Sequence, residues 1–191
     1  MTRAGYDFSQ PYKKMKRSDF EIMAPVGSYE SLRSAINAGA DAVYFGVEGL
    51  NMRSRSSVNF TLDDLRRIAD ECTRAGVKSY LTVNTIIYDD DMERMRSIID
   101  AVAASGISAI IASDMAAILY ARERGVEVHI STQLSVSNTA TLRYYARFAD
   151  VVVLARELSL EQVAAAPTAN WCASRCFATA PSAWLSRANA I

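Results

Sequence analysis

The sequence predicts an α/β protein, a parallel (β/α) barrel of the TIM type that is incomplete, with about six of eight units. Three observations predict it. Short apolar runs rich in Val, Ile and Tyr alternate with amphipathic stretches of helical period, the pattern of parallel strands joined by helical crossovers. Gly39, Gly76, Gly106 and Gly125 each fall between a helical stretch and the next apolar run, where a left-handed C-cap suits glycine. The first turn, Pro25-Val26-Gly27-Ser28-Tyr29, has no glycine triplet, so the rival doubly wound fold lacks its dinucleotide fingerprint. A closed eight-unit barrel takes about 250 residues, and 191 are too few.

Residues 1–19 are polar, basic and without period, which predicts a flexible lead-in. The barrel domain is expected over residues 20–165, and it begins with a strand at Phe20–Ala24. Helix one, Tyr29–Ala38, takes Ser28 as its N-cap and leads to strand two at Ala42–Phe45. Helix two, Leu62–Ala75, places Leu62, Leu65, Ile68, Ala69 and Cys72 on one side and mostly charged residues on the other, so that side packs on the sheet. Strand three is Lys78–Val83. Helix three, Asp91–Ser105, starts at Asp89-Asp90-Asp91, where orphan amides and the helix dipole favour carboxylates. Strand four at Ala109–Ala112, helix four at Ala116–Arg124 and strand five at Glu127–Ser131 follow. Helix five, Ala140–Phe148, is capped by Ser137 or a neighbour, and strand six spans Val151–Leu154. Helix six, Leu160–Ala165, has capping-box spacing between Ser159 and Gln162.

Hydrophobic residues make up 50% of the chain, enough for a core, and the net charge of +0 gives no overall pull toward nucleic acid or membrane. The longest apolar runs are far shorter than a bilayer span and the N-terminus lacks an apolar signal core, so a cytoplasmic protein without membrane contact is expected. Cys72, Cys172 and Cys176 are an odd set, which argues against a disulfide scaffold.

In such a barrel the chemistry gathers at the carboxyl ends of the strands. Candidate substrate-binding residues there are Asn84 after strand three, Gln133 after strand five, and Arg156 with Glu157 after strand six. Ser113 and Asp114 after strand four serve equally as helix caps. The long connection after strand two carries Arg53 and Arg55, whose guanidinium groups match carboxylate and phosphate geometry. His129 alternates with Val128 and Ile130 inside a strand, where a structural histidine is the better reading than a catalytic one, and Cys72 is a core residue. No catalytic residue is assigned.

The strings FEIMAPVGSYESLRSAINAGADAVYFG, NMRSR, SYLTVNT, IIASD, VHISTQLSVSN and VVLARELSLEQV, in that order, resemble the collagenase-like peptidases, peptidase family U32. The resemblance covers about Phe20 to Ala164 and looks closest to the transfer RNA uridine hydroxylation members. It implies a barrel-like domain that, in the intact protein, carries a [4Fe–4S] cluster on cysteines and adds hydroxyl groups to RNA without oxygen, as in 5-hydroxyuridine formation in transfer RNA. Transfer RNA or other RNA is then the partner, bound through Arg53 and Arg55 with Asn84, Gln133, Arg156 and Glu157 at the mouth.

The family's cysteine signature is missing after Ala165. Residues 166–191 show neither strand nor helix period and are expected to be an irregular tail read out of frame, since allowed codons taken one base earlier give a stretch containing CHGALC. The chain as given is therefore expected to be truncated, to hold no cofactor, to be inactive and to self-associate through open barrel edges, strand six among them. Two alternatives are a protease of the same family and a binding module without chemistry.

Overall fold

The computed structural model describes residues 17, 20–47, 50, 60–165, 173–177 and 184–187. Its elements follow the expected alternation. They are β1 (Met23–Pro25), α1 (Tyr29–Asn37), β2 (Ala42–Phe45), α2 (Asp64–Arg74), β3 (Lys78–Val83), α3 (Met92–Ser105), β4 (Ala109–Ala112), α4 (Met115–Glu123), β5 (Val128–Ile130), α5 (Thr139–Tyr145), β6 (Val151–Val153) and α6 (Leu160–Ala165), then β7 (Ala173–Phe177) and β8 (Trp184–Arg187). Short 3₁₀ turns at Asp89–Asp91 and Thr132–Leu134 precede α3 and α5. The strands form one sheet in sequence order, parallel from β1 to β7, with β8 antiparallel to β7. This is an incomplete TIM-like barrel, and among the described residues β1 and β8 are its edges.

The two faces of the strands do different work. Val43, Phe45, Leu81, Ile110, Ile130 and Val152 face outward and pack with the helices in the main core. Met23, Ala42, Tyr80, Ala109 and Ile111 face inward and fill the barrel. Alternation along each strand sets this division. Leu65, Ile68, Ala69 and Cys72 of α2 are buried at i, i+3, i+4 and i+7, as the periodicity predicts. Each such Leu or Ile contributes about 1.5–3 kcal/mol by leaving water, so Ile68→Asp would undock α2.

Several ends carry the expected chemistry. Ser28 and Ser31 form a reciprocal capping box at α1, and Ser159 and Gln162 form another before α6, at 2.8 and 3.2 Å. Gly106 ends α3 at φ 84°, a left-handed conformation in which a side chain would be strained. At α2 the N-cap residue Asp63 makes no side-chain cap bond; instead Asp64, the first helical residue, reaches back to accept from both the amide and the hydroxyl of Thr61, each at 2.8 Å. Asn138, beside Ser137, caps α5.

Several boundaries shift by one or two residues, among them the start of α2 at Asp64, which leaves Leu62 outside the helix and exposed rather than packed on the sheet, and three differences are larger. β1 starts at Met23 rather than Phe20, because the Ile22 amide donates to the Asp41 carboxylate at 2.6 Å instead of to a ladder partner. Helix α5 ends at Tyr145 rather than Phe148, since Arg147 and Phe148 donate to carbonyls only three residues back, a tightening that closes the helix. The tail in which no period is legible contributes β7 and β8. Val151, Val152 and Val153 pair with Ala173, Ser174 and Arg175, so β6 is not the open edge expected of it. An unpaired strand offers donors and acceptors to any extended segment, and backbone pairing asks for no side-chain period. No helix among the described residues is long and apolar enough to cross a membrane.

Candidate functional site

The carboxyl ends of β3 to β6 form the described part of the barrel mouth. Asn84 follows Val83 directly and is partly buried, beside Ser113 and Asp114, because Val83 pairs with Ala112. Asp114 caps α4: one carboxylate oxygen accepts from Ala116 at 2.8 Å, and the other accepts from Ile87 at 3.4 Å. It therefore also ties down the connection that follows Asn84. Gln133 is exposed in the 3₁₀ turn after β5, and Arg156 with Glu157 is exposed in the turn after β6.

These two turns are drawn together. Val136 bridges to Leu154, and the Ala155 amide donates to the Val136 carbonyl at 2.9 Å. Gln133, Arg156 and Glu157 thus share one side of the mouth, while Asn84 stands just past the end of β3, with β4 between. Arg53 and Arg55 lie outside the described residues. The base of their connection is closed by a bridge between Val47 and Phe60, with Leu50 buried beside it.

One signal at this mouth is not legible in sequence. Ser135 adopts φ 47°, the sole positive φ among the described non-glycine residues. Left-handed serine is uncommon and concentrates at functional turns. It directs the chain from the Gln133 turn toward Val136.

The opposite, amino-terminal end of the barrel holds a polar network that sequence reasoning reaches only in part. His129 is fully buried, with Nε2 at 2.7 Å from a carboxylate oxygen of Glu127. Its ring packs edge-on against Tyr80 at 4.6 Å, and the Tyr80 hydroxyl donates to Glu21 at 2.9 Å. Glu21 and Glu127 precede β1 and β5, so the network lies away from the mouth. It is structural, as expected for His129.

A model of Peptidase family U32 matches residues 27–174. The chain belongs to peptidase family U32. Its similarity to a collagenase of Porphyromonas gingivalis is 68% identity over 149 residues, 78% of this chain and 36% of that protein. It is 33% identical over 146 residues to tRNA hydroxylation protein P1 of Bacillus subtilis, covering 75% of this chain and 34% of the relative. The chain thus spans about a third of the length of these curated relatives. The solved structure of the U32 peptidase Mk0906 superimposes with a TM-score of 0.68 at 17% identity, covering 90% of this chain and 73% of that one, which supports the fold.

In this U32 barrel, Cys72 is 1% exposed against the sheet, and burial, then Glu71, pushes its thiol up to about 11. A protonated, enclosed thiol is a poor nucleophile and a poor ligand. Cys172 lies outside the described residues, and Cys176 falls within β7. Tyr29 is raised to about 12, first by burial and then by its 2.7 Å hydrogen bond to Asp64. Burial alone would raise Asp64, but donation from Thr61 and Tyr29 outweighs it and its pKa falls. This pair fastens α1 to α2 and belongs to the scaffold.

Proposed function

We propose that this chain is the substrate-facing part of an RNA hydroxylase of family U32, with transfer RNA uridine as the substrate, and that it is inactive as it stands. The observation that carries this reading is the makeup of the mouth. Amide, guanidinium and carboxylate groups of Asn84, Gln133, Arg156 and Glu157 stand at the strand ends, suited to hydrogen-bonding a polar base and its phosphates. The relative named as a tRNA hydroxylation protein supports it. Arg53 and Arg55 are assigned to phosphate in the same reading.

A [4Fe–4S] cluster takes four cysteine ligands. This chain has three cysteines, and Cys72 is enclosed, so its residues do not fit that group. The hydroxylation step belongs to a longer form of the protein, and the location is the cytoplasm, where transfer RNA is modified.

A second reading, a collagenase-type protease, is favoured by the name of the 68%-identical relative. The described geometry does not favour it. The chain's single histidine is fully buried against Glu127 at the far end of the barrel, and Cys72 lies inside the α2 packing.

The test is to incubate the purified chain in parallel with transfer RNA and with gelatin. The RNA reading predicts salt-sensitive retention of transfer RNA and intact gelatin. Gelatin cleavage without RNA retention would establish the protease reading instead.

A further inference from the structure

The wall beside Gln133 and Arg156 carries a surface that the mouth does not explain. Helix α5 and the turn after it read Arg143-Tyr144-Tyr145-Ala146-Arg147-Phe148, and between Glu127 and Asp150 the sequence has no carboxylate. Tyr144 is 49% exposed although it packs edge-on against Tyr145 at 5.3 Å and Phe148 at 5.4 Å. The guanidinium of Arg147 lies 5.5 Å from the Phe148 ring centre, and Arg143 and Arg147 are both exposed. The nearest acid in sequence, Asp150, is neutralised: Arg122 Nη1 sits 3.1 Å from each of its oxygens. Two exposed arginines thus stand beside a braced, half-exposed tyrosine on this wall.

Its place in the fold fits a polyanion. Helix α5 starts just after the Gln133 turn and runs down the outer wall for seven residues. At a rise of 1.5 Å per residue, Tyr144 is on the order of 10 Å below the mouth. The other flank of the mouth is different. Ile86 and Tyr88 are 70% and 67% exposed there, but Asp89, Asp90 and Asp91 follow at once and repel phosphate.

Resting on the RNA reading above, we propose that Arg143, Tyr144 and Arg147 form an RNA-binding surface for the strand that flanks the base presented to the mouth. The arginines meet phosphates, and Tyr144 stacks on an unpaired base, the combination used by proteins that hold single-stranded nucleic acid.

The probe is an unmodified transfer RNA transcript with a fluorescent end label, titrated with the 191-residue chain over a range of KCl concentrations. Tyr144→Ala and Arg147→Gln should each weaken binding about tenfold, and Arg147→Gln should make the salt dependence shallower by about one phosphate contact. Arg66→Gln, an equal loss of charge on the exposed side of α2, should change affinity less than about twofold. Ultraviolet cross-linking followed by trypsin should yield RNA on the peptide Tyr144–Arg147.

If Tyr144→Ala and Arg147→Gln bind as the parent does, the surface is wrong while the RNA reading stands. If all three variants weaken alike, the attraction is diffuse charge and the assignment fails. If the parent binds no RNA, both fail. If the parent self-associates through this surface and Tyr144→Ala alone makes it monomeric without changing RNA affinity, the surface is a protein interface and the proposal is overturned.

Discussion

Glu127 and His129 meet at 2.7 Å at the amino-terminal end of the barrel, Glu127 just before β5 and His129 within it, with the imidazole fully buried. That end of a parallel barrel carries stability, and the mouth is at the other. The histidine that looks catalytic on chemistry alone is thus a brace, linked through the Tyr80 ring and hydroxyl to Glu21.

His129→Ala should therefore cost about 2–4 kcal/mol, from the interior void and the lost hydrogen bond. Urea unfolding of the variant and parent measures it. RNA affinity of the folded variant should be unchanged. A variant of parental stability with lost RNA binding would move His129 to the functional side.

Tyr29 and Asp64 set a two-sided pH dependence. The folded pKa of Asp64 lies below its ordinary 3.8, so its contribution is present above that pH and is lost as pH falls through the depressed folded value. Tyr29 is raised from 10.0 to about 12, so its contribution is complete below pH 10 and fades as pH rises through about 12. Tyr29→Phe should cost about 1–2 kcal/mol at pH 7 and shrink the parent's advantage at both extremes. Stability measured at pH 3, 7 and 11 decides this; a constant difference at all three would refute the linkage.

Arg53→Ala with Arg55→Ala should lower RNA affinity about tenfold or more through lost phosphate contacts, with the melting temperature nearly unchanged. Titration calorimetry and thermal melts read the two effects separately. A large stability loss with parental affinity would make these arginines structural.

Removing residues 166–191 takes away the strand that pairs with Val151, Val152 and Val153. The apolar, β-branched edge left behind should recruit other chains. Light scattering after size-exclusion should show oligomers for the shortened chain and fewer for the full one. A monomeric shortened chain would show that β7 protects nothing.

How much of this was legible follows from which forces wrote it. Leu65, Ile68, Ala69 and Cys72 announce their burial because helix period and core packing demand the same spacing. The strands from Ala42, Lys78 and Ala109 coincide with their apolar runs because both faces of a parallel sheet are covered. The start of β1 was not legible, since it depends on Asp41 reaching the Ile22 amide, a partner set only by the fold. β7 and β8 were hidden for a similar reason, as backbone pairing leaves little trace in side chains.

At the mouth, topology placed Asn84, Gln133, Arg156 and Glu157 at strand ends, as periodicity predicts. That the Gln133 and Arg156 turns are tied through Val136 and Leu154 is tertiary and has no sequence signature. The left-handed Ser135 has none either, because serine does not advertise that conformation as glycine or asparagine does. The α5 surface was in plain view as arginine and aromatic residues in Arg143-Tyr144-Tyr145-Ala146-Arg147-Phe148, but which of them stay exposed is set by the fold.

The central claim is that this barrel segment serves RNA hydroxylation, and it is tested most directly by exchange. Residues 20–165 replace the matching segment of the Bacillus subtilis tRNA hydroxylation protein in cells lacking the parent, and 5-hydroxyuridine in bulk transfer RNA is quantified by mass spectrometry. The account predicts that hydroxyuridine is restored and falls again when Gln133 and Arg156 are both changed to alanine. A hybrid that accumulates as soluble folded protein yet leaves the transfer RNA unmodified would contradict it.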